Sequence, residues 1–305
     1  LLPILFNIAQ RKYINYYISS FMVAIALTEV TSYLVWFQII PAFKYATVSN
    51  PTPFMSHISY NPILALAIYI TYYNIFLKTN LSKFKFFINS FFALSMTINM
   101  FITGGRAGQV MYFAMLTILI FQFFSNDKLK SLLTVLVLVP LIFFTAYQTS
   151  NIFHLRVNDA VKNTINFEIS RNSAVGERIN FAINSWDVIK ENSIIGIGTG
   201  DFPSEYKKIN QINSPQMQPT TNPHNMYTLI SMQLGLIGLV SMFSIFYYQI
   251  KLSFNSRDKF IRDIGVALPL MFLVIMWSDS YLLGHYTTLV FIVFSSFLYK
   301  DFEKS

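Results

Sequence analysis

Apolar residues in this chain come in long blocks divided by short polar loops, and a helix needs roughly 20 such residues to cross a bilayer. Eight blocks are read as spans, at 16–40, 63–77, 86–102, 107–124, 132–147, 226–250, 264–283 and 285–299. The last follows its neighbour across a turn at Gly284 and is short enough to be re-entrant. Between the fifth and sixth blocks the pattern changes. Ile179, Ala182, Ile183, Trp186 and Ile189 recur at i, i+3/i+4 spacing, the mark of a helix with one apolar face. Gly196, Gly198 and Gly200 end that helix and open a turn, and prolines 215, 219 and 223 make the following segment irregular.

The expected architecture is all-α: a polytopic transmembrane helix bundle with a mainly helical extramembrane cap. Residues 1–147 hold the N-terminal spans, 148–225 the cap and 226–305 the C-terminal spans. The first residues, Leu1 to Ile8, are an apolar run ending at Arg11-Lys12. They read as the tail of a helix of a longer protein, an N-terminal truncation, rather than as a signal peptide.

Composition fits this picture. Charged residues make up 12% of the chain against 54% hydrophobic, where a soluble domain carries about 25% charged. Cysteine is absent, which excludes disulfides and thiolate metal sites. The net charge of +8 would suggest nucleic acid in a soluble protein, but the cations lie in alternate short loops. Thirteen of the 22 Lys and Arg, from Arg11 and Lys12 to Lys300 and Lys304, mark one face as cytoplasmic by the positive-inside bias. Lys44 and Arg106 alone occupy the opposite short loops, and 148–225 balances seven basic with seven acidic residues.

Candidate chemistry gathers on the cap side. Two helices are expected to start there, after Arg106 and at Asn225, with Asn222 as N-cap and Pro223 at the first helical position of the second. Helix starts favour anions, and an arginine fork matches phosphate oxygens. Each residue has a plainer reading. Arg106 could snorkel to headgroups, Arg178 could pair with Glu177 or Asp187 in solvent, and His224 could be an interfacial cap. His57, His154 and His285 lack metal-ligand spacing. Glu29 sits deep in a span and should face a partner or cavity, while Asp279 near a span end is left open. Gly196-Ile197-Gly198-Thr199-Gly200 lacks the strand that a dinucleotide loop needs, and neither a P-loop nor an Asp-x-Asp pair is present.

Three segments together resemble the bacterial O-antigen ligase/polymerase family of inner-membrane glycosyltransferases. They are "TGGRAGQV", in which Gly105 stands for the family's usual serine, "ERINFAINSWDVIKENSIIGIGTGDF", and "PHNMYTLISMQLGLIGL". In the second, Ala182 occupies the place of a common tryptophan. The resemblance covers about 103–239. It implies a multi-pass inner-membrane enzyme with its site facing the periplasm, which makes the mainly helical cap periplasmic. The donor would be a glycan on undecaprenyl diphosphate and the acceptor a hydroxyl, with inversion and with no nucleotide sugar, ATP, cofactor or metal. The lipid A-core of an O-antigen ligase is the favoured acceptor. A repeat-unit polymerase, or a transferase to protein hydroxyls, shares the same residues. Carried over, His224 orients or deprotonates the acceptor and Arg106 and Arg178 bind the diphosphate, with Asn225, Gly196, Gly198 and Gly200 in support. A non-catalytic transporter of lipid-linked sugars is the reading from another class. Membrane lipids surround the protein in every case, and nucleic acid is not a partner.

Overall fold

The computed structural model describes residues 1–78 and 81–300; Lys304, one of the cations counted above, lies outside the described residues. They are helical with no β-strand among them. The helices are α1 (Leu2–Ile8), α2 (Ile14–Trp36), α3 (His57–Phe76), α4 (Lys83–Ile102), α5 (Arg106–Phe123) and α6 (Lys128–Thr149), then α7 (Asn151–Ile165), α8 (Ala174–Glu191), α9 (Phe202–Asn213), α10 (Met226–Phe254), α11 (Lys259–Ile275) and α12 (His285–Leu298). The segments Arg11–Trp36, Lys83–Ile102, Arg106–Phe123, Lys128–Thr149 and Met226–Phe254 are long and apolar enough to cross a membrane. The protein is a multi-pass membrane protein of the all-α class.

α3 is the central post. Every residue from Tyr60 to Thr71 is buried, because α4, α5, α11 and α12 pack around it. α5 also lies along α11, and α11 along α10. Two of these helices contain proline, which lacks an N–H and so frees the carbonyl four residues earlier. In α3, Pro62 frees Ile58, whose carbonyl accepts the Tyr281 hydroxyl at 3.2 Å. In α11, Pro269 frees Gly265, whose carbonyl accepts the Tyr299 hydroxyl at 2.7 Å. Such repairs matter where no water can replace them. Glu29 is buried in α2 and accepts the Ser95 hydroxyl of α4. One turn on, the Asn99 amide donates to Ser32 and accepts from Tyr60, a polar seam through α2, α4 and α3.

Several details depart from the sequence reading. The span expected over 264–283 stops at Ile275, and residues 276–284 form an irregular loop rather than a tight Gly284 turn. α10 starts at Met226, as the span 226–250 had it, but its N-cap is Asn225 rather than Asn222, accepting from the Thr228 N–H at 3.0 Å. Asn222 and Pro223 lie outside it. The apolar stripe of α8 turns largely outward: Ala182, Ile183 and Trp186 are exposed. Phe181, Val188, Asn180, Asn184 and Ser185 are buried instead. The reason is a polar core. The Asn184 amide donates to Tyr206 and Asn210 of α9 at 3.2 and 3.3 Å, and Ser214 donates to Asn180 at 2.9 Å.

α10 is broken at Gly235, whose backbone (φ 60, ψ −154) leaves the helical region. The segment Ser193–Gly198, between α8 and α9, is bonded into that break.

Candidate functional site

α3, α5, α10 and α12 all begin at the same end of the bundle, where α7, α8 and α9 join it. Their N-terminal N–H groups and the positive ends of their dipoles therefore face one region, a field that suits an anion.

Arg106 is the first residue of α5, after a Gly105 N-cap. The turn before it is pinned by Asn50, from the loop between α2 and α3. Its Oδ1 accepts the Gly104 N–H and its Nδ2 meets His57 Nδ1, both at 2.9 Å. The small residues of this turn let α5 meet α3 closely. A Cβ built on Gly108 would stand 2.1 Å from the Cβ of Asn61.

A second arginine reaches the same turn from α7. The guanidinium of Arg156 lies against Gly104, so a Cβ there would be 3.3 Å from its Nη2. The sequence reading missed Arg156, and no motif could have found it. Arg178 enters from the second turn of α8. The charges of Arg156 and Arg178 both bear on Arg106, and all three bear on His57. These arginines are each half-buried. Among the described residues, none has a carboxylate at ion-pair distance. Asp187, a candidate partner of Arg178 by sequence, pairs instead with Lys190 at 2.8 Å.

Arg178 also bears on the other half of the site, around Asp279 and Tyr281. His224 stands there just ahead of α10 with a left-handed backbone (φ 51), held by its N–H to Asn222 Oδ1 at 3.0 Å. Its ring stacks on Phe181 of α8, 6.2 Å between centroids and 26° between planes. Its Nδ1 is 3.1 Å from Asp279 Oδ1. Asp279, left open in the sequence reading, sits in the loop after α11. Burial alone would push its carboxyl up; the hydrogen bond and charge of His224, the Ser280 N–H and the Arg178 charge outweigh this and hold it below its usual value. The two loops are fastened together. Ser280 donates to Asn222 at 2.8 Å, Asn225 donates to the Trp277 carbonyl at 3.2 Å, and the Met226 N–H reaches Met276 at 2.9 Å. Tyr281, donating to Ile58 of α3, ties this half to the His57 half.

The structure thus links Arg106 to the His224–Asp279 pair through Arg178 and adds Arg156 and His57. It places Gly196 and Gly198 elsewhere: the loop they belong to meets α10, with Ile197 and Gly198 donating to the Met232 and Gln233 carbonyls at 2.9 and 3.0 Å. Gly200, with φ +92, has open space beside it.

The fold is that of a helical multi-pass membrane protein in which half-buried arginines and a carboxylate-held histidine meet at one end of the bundle. A family model described as O-antigen ligase matches residues 91–243, half of the chain, and the chain belongs to that family. The match holds Arg106, Arg156, Arg178 and His224, while His57 and Asp279 lie beyond it. Among curated proteins none matches the chain.

Proposed function

We propose that this protein is an inverting glycosyltransferase moving a glycan from undecaprenyl diphosphate to an acceptor hydroxyl, on the periplasmic face of the bacterial inner membrane. In this reading 148–225 is a periplasmic cap over the spans of 1–147 and 226–305. One observation carries the proposal. Among the described residues, three half-buried guanidinium groups, from α5, α7 and α8, bear on one another with no carboxylate at ion-pair distance, beside a histidine held by Asp279. Like charges that repel one another in a partly desolvated place suit the binding of a polyanion.

The chemistry follows from the atoms. With Nδ1–H donated to Asp279, His224 keeps Nε2 as an acceptor. The acceptor hydroxyl gives its proton to Nε2 as its oxygen bonds to the anomeric carbon from the face opposite the diphosphate. The bond from that carbon to the phosphate oxygen breaks, and its electron pair leaves with undecaprenyl diphosphate. Arg106, Arg156 and Arg178 stabilise the growing charge on the leaving group, an effect that is strong when donors are fixed beforehand. The donor carries its own activation in the diphosphate ester, so the step needs no nucleotide. Asn225 supports His224 by capping α10 and holding Trp277.

The favoured acceptor is the lipid A-core of an O-antigen ligase. Reconstitution with a lipid-diphosphate glycan tests this, with either lipid A-core or further donor as acceptor. Glycan on the core supports the ligase. A ladder on the donor replaces it with a polymerase, and no product from either acceptor removes both and leaves transfer to protein hydroxyls or transport of the lipid-linked sugar.

A further inference from the structure

The break in α10 and the loop bonded into it lead to an inference independent of the reaction. In an unbroken helix the Met232 carbonyl would take the N–H of Leu236, and Gln233 that of Ile237. At Gly235 these four groups turn to the segment that follows α8. Ile197 and Gly198 donate to the Met232 and Gln233 carbonyls at 2.9 and 3.0 Å; Leu236 and Ile237 donate to the Ser193 and Ile194 carbonyls at 2.9 and 3.2 Å. The fit is backbone against backbone. A Cβ on Gly196 would stand 2.4 Å from the Gln233 carbonyl carbon, and one on Gly235 would stand 2.4 Å from that of Ile194.

The position of the break matters. Lys251 marks the end of α10 away from the site, and roughly 20 residues cross the hydrocarbon layer. Counted back from Lys251, the far boundary falls near Ser231, so Gly235 lies inside the acyl region. A helix can break there only if protein satisfies the freed groups, which is what the inserted segment does. Its side chains then point the wrong way for a water-facing loop. Ile194 is 64% exposed and Ile195 73%. Their backbone adjoins Gly235 and Ile237 of the span, and Leu236, Ile237 and Val240 are exposed apolar residues of that same span. On α8, Ile183 and Trp186, three residues apart and therefore neighbours, are exposed as well, and tryptophan is a common anchor at headgroup level.

We infer that Ser193–Gly198 is a membrane-inserted wedge, with Ile194 and Ile195 among the acyl chains of the leaflet on the site's side. The break in α10 holds it there, and Trp186 marks the interface above it. The occupant of this apolar face is lipid, because the face continues the lipid-facing surface of α10. The segment that sequence alone assigns to an aqueous cap therefore dips into the bilayer, fixing α8 and its Arg178 at a set height above the acyl layer.

The chain has no cysteine, so Ile195→Cys gives a single thiol in the full chain, and Ile212→Cys, an exposed position on α9, gives the comparison. Both are reconstituted in phosphatidylcholine–phosphatidylglycerol vesicles. We expect a charged maleimide to label Ile195→Cys at least about tenfold more slowly than Ile212→Cys. A bimane attached to the thiol of Ile195→Cys should be quenched by lipids carrying nitroxide on the acyl chain and spared by aqueous iodide. Equal labelling rates overturn the inference. So does slow labelling without nitroxide quenching, which would mean that protein rather than lipid covers the residue.

Discussion

The Nδ1 of His224 stands 3.1 Å from the Oδ1 of Asp279, although 55 residues and the whole of α10 and α11 separate them in the chain. This contact turns a lone histidine at a helix start into an oriented one, because a carboxylate at Nδ1 selects the tautomer that leaves Nε2 free. Asp279→Asn keeps the shape but loses the charge and can present its amide to the ring in the wrong sense. Transfer should fall by about 10²-fold, within the range attributed to a positioned general base, with the donor KM little changed. His224→Ala should abolish transfer while insertion in the membrane persists. Initial rates in nanodiscs check both, and near-parental turnover by either variant removes that residue from the mechanism.

The same pair sets a pH dependence of stability. The folded Asp279 carboxyl titrates below its usual value of 3.8. Its contribution is therefore complete above 3.8 and is lost as pH falls through the lower, folded value. Melting curves of the parent and Asp279→Asn should differ at pH 5 and converge below the carboxylate range. A gap that stays constant down to pH 2.5 would contradict this.

The arginines separate charge from geometry. Arg106→Lys and Arg156→Lys keep a cation but lose the fork that grips phosphate oxygens, so marked loss of transfer is expected from each. Arg178→Ala removes a charge-assisted contact of about 1.5–3 kcal/mol, or roughly 10–100-fold in donor affinity. Binding of the lipid diphosphate in nanodiscs measures it; unchanged affinity would leave Arg178 a structural residue of α8.

Gly108 gives a prediction about packing rather than chemistry. Its missing Cβ lets α5 lie on Asn61 of α3, where the added atom would stand 2.1 Å from another carbon. Gly108→Ala should force the helices apart at a cost of about 1–3 kcal/mol, seen as a lower melting temperature in detergent. Because Arg106 starts the same helix, donor affinity should fall with it. A variant as stable as the parent would show that α3 and α5 can slide without penalty.

The sequence by itself determined the fold class and most of the spans, because crossing hydrocarbon needs an unbroken apolar length that is visible in one dimension. It also offered Arg106, Arg178 and His224 as candidates, since the motifs that hold them are local. It could not assign the inner face of α8. Lipid is as apolar as a protein core, so an apolar stripe such as Ile183 and Trp186 does not say which way a helix turns, and an Asn–Ser–Tyr core took the other side. Only tertiary structure decided that Asp279 meets His224, that Arg156 reaches Gly104, and that Gly196 enters the break at Gly235. Each of these joins groups on different helices, and the distance between such groups is set by how the helices pack around α3, which no local pattern records.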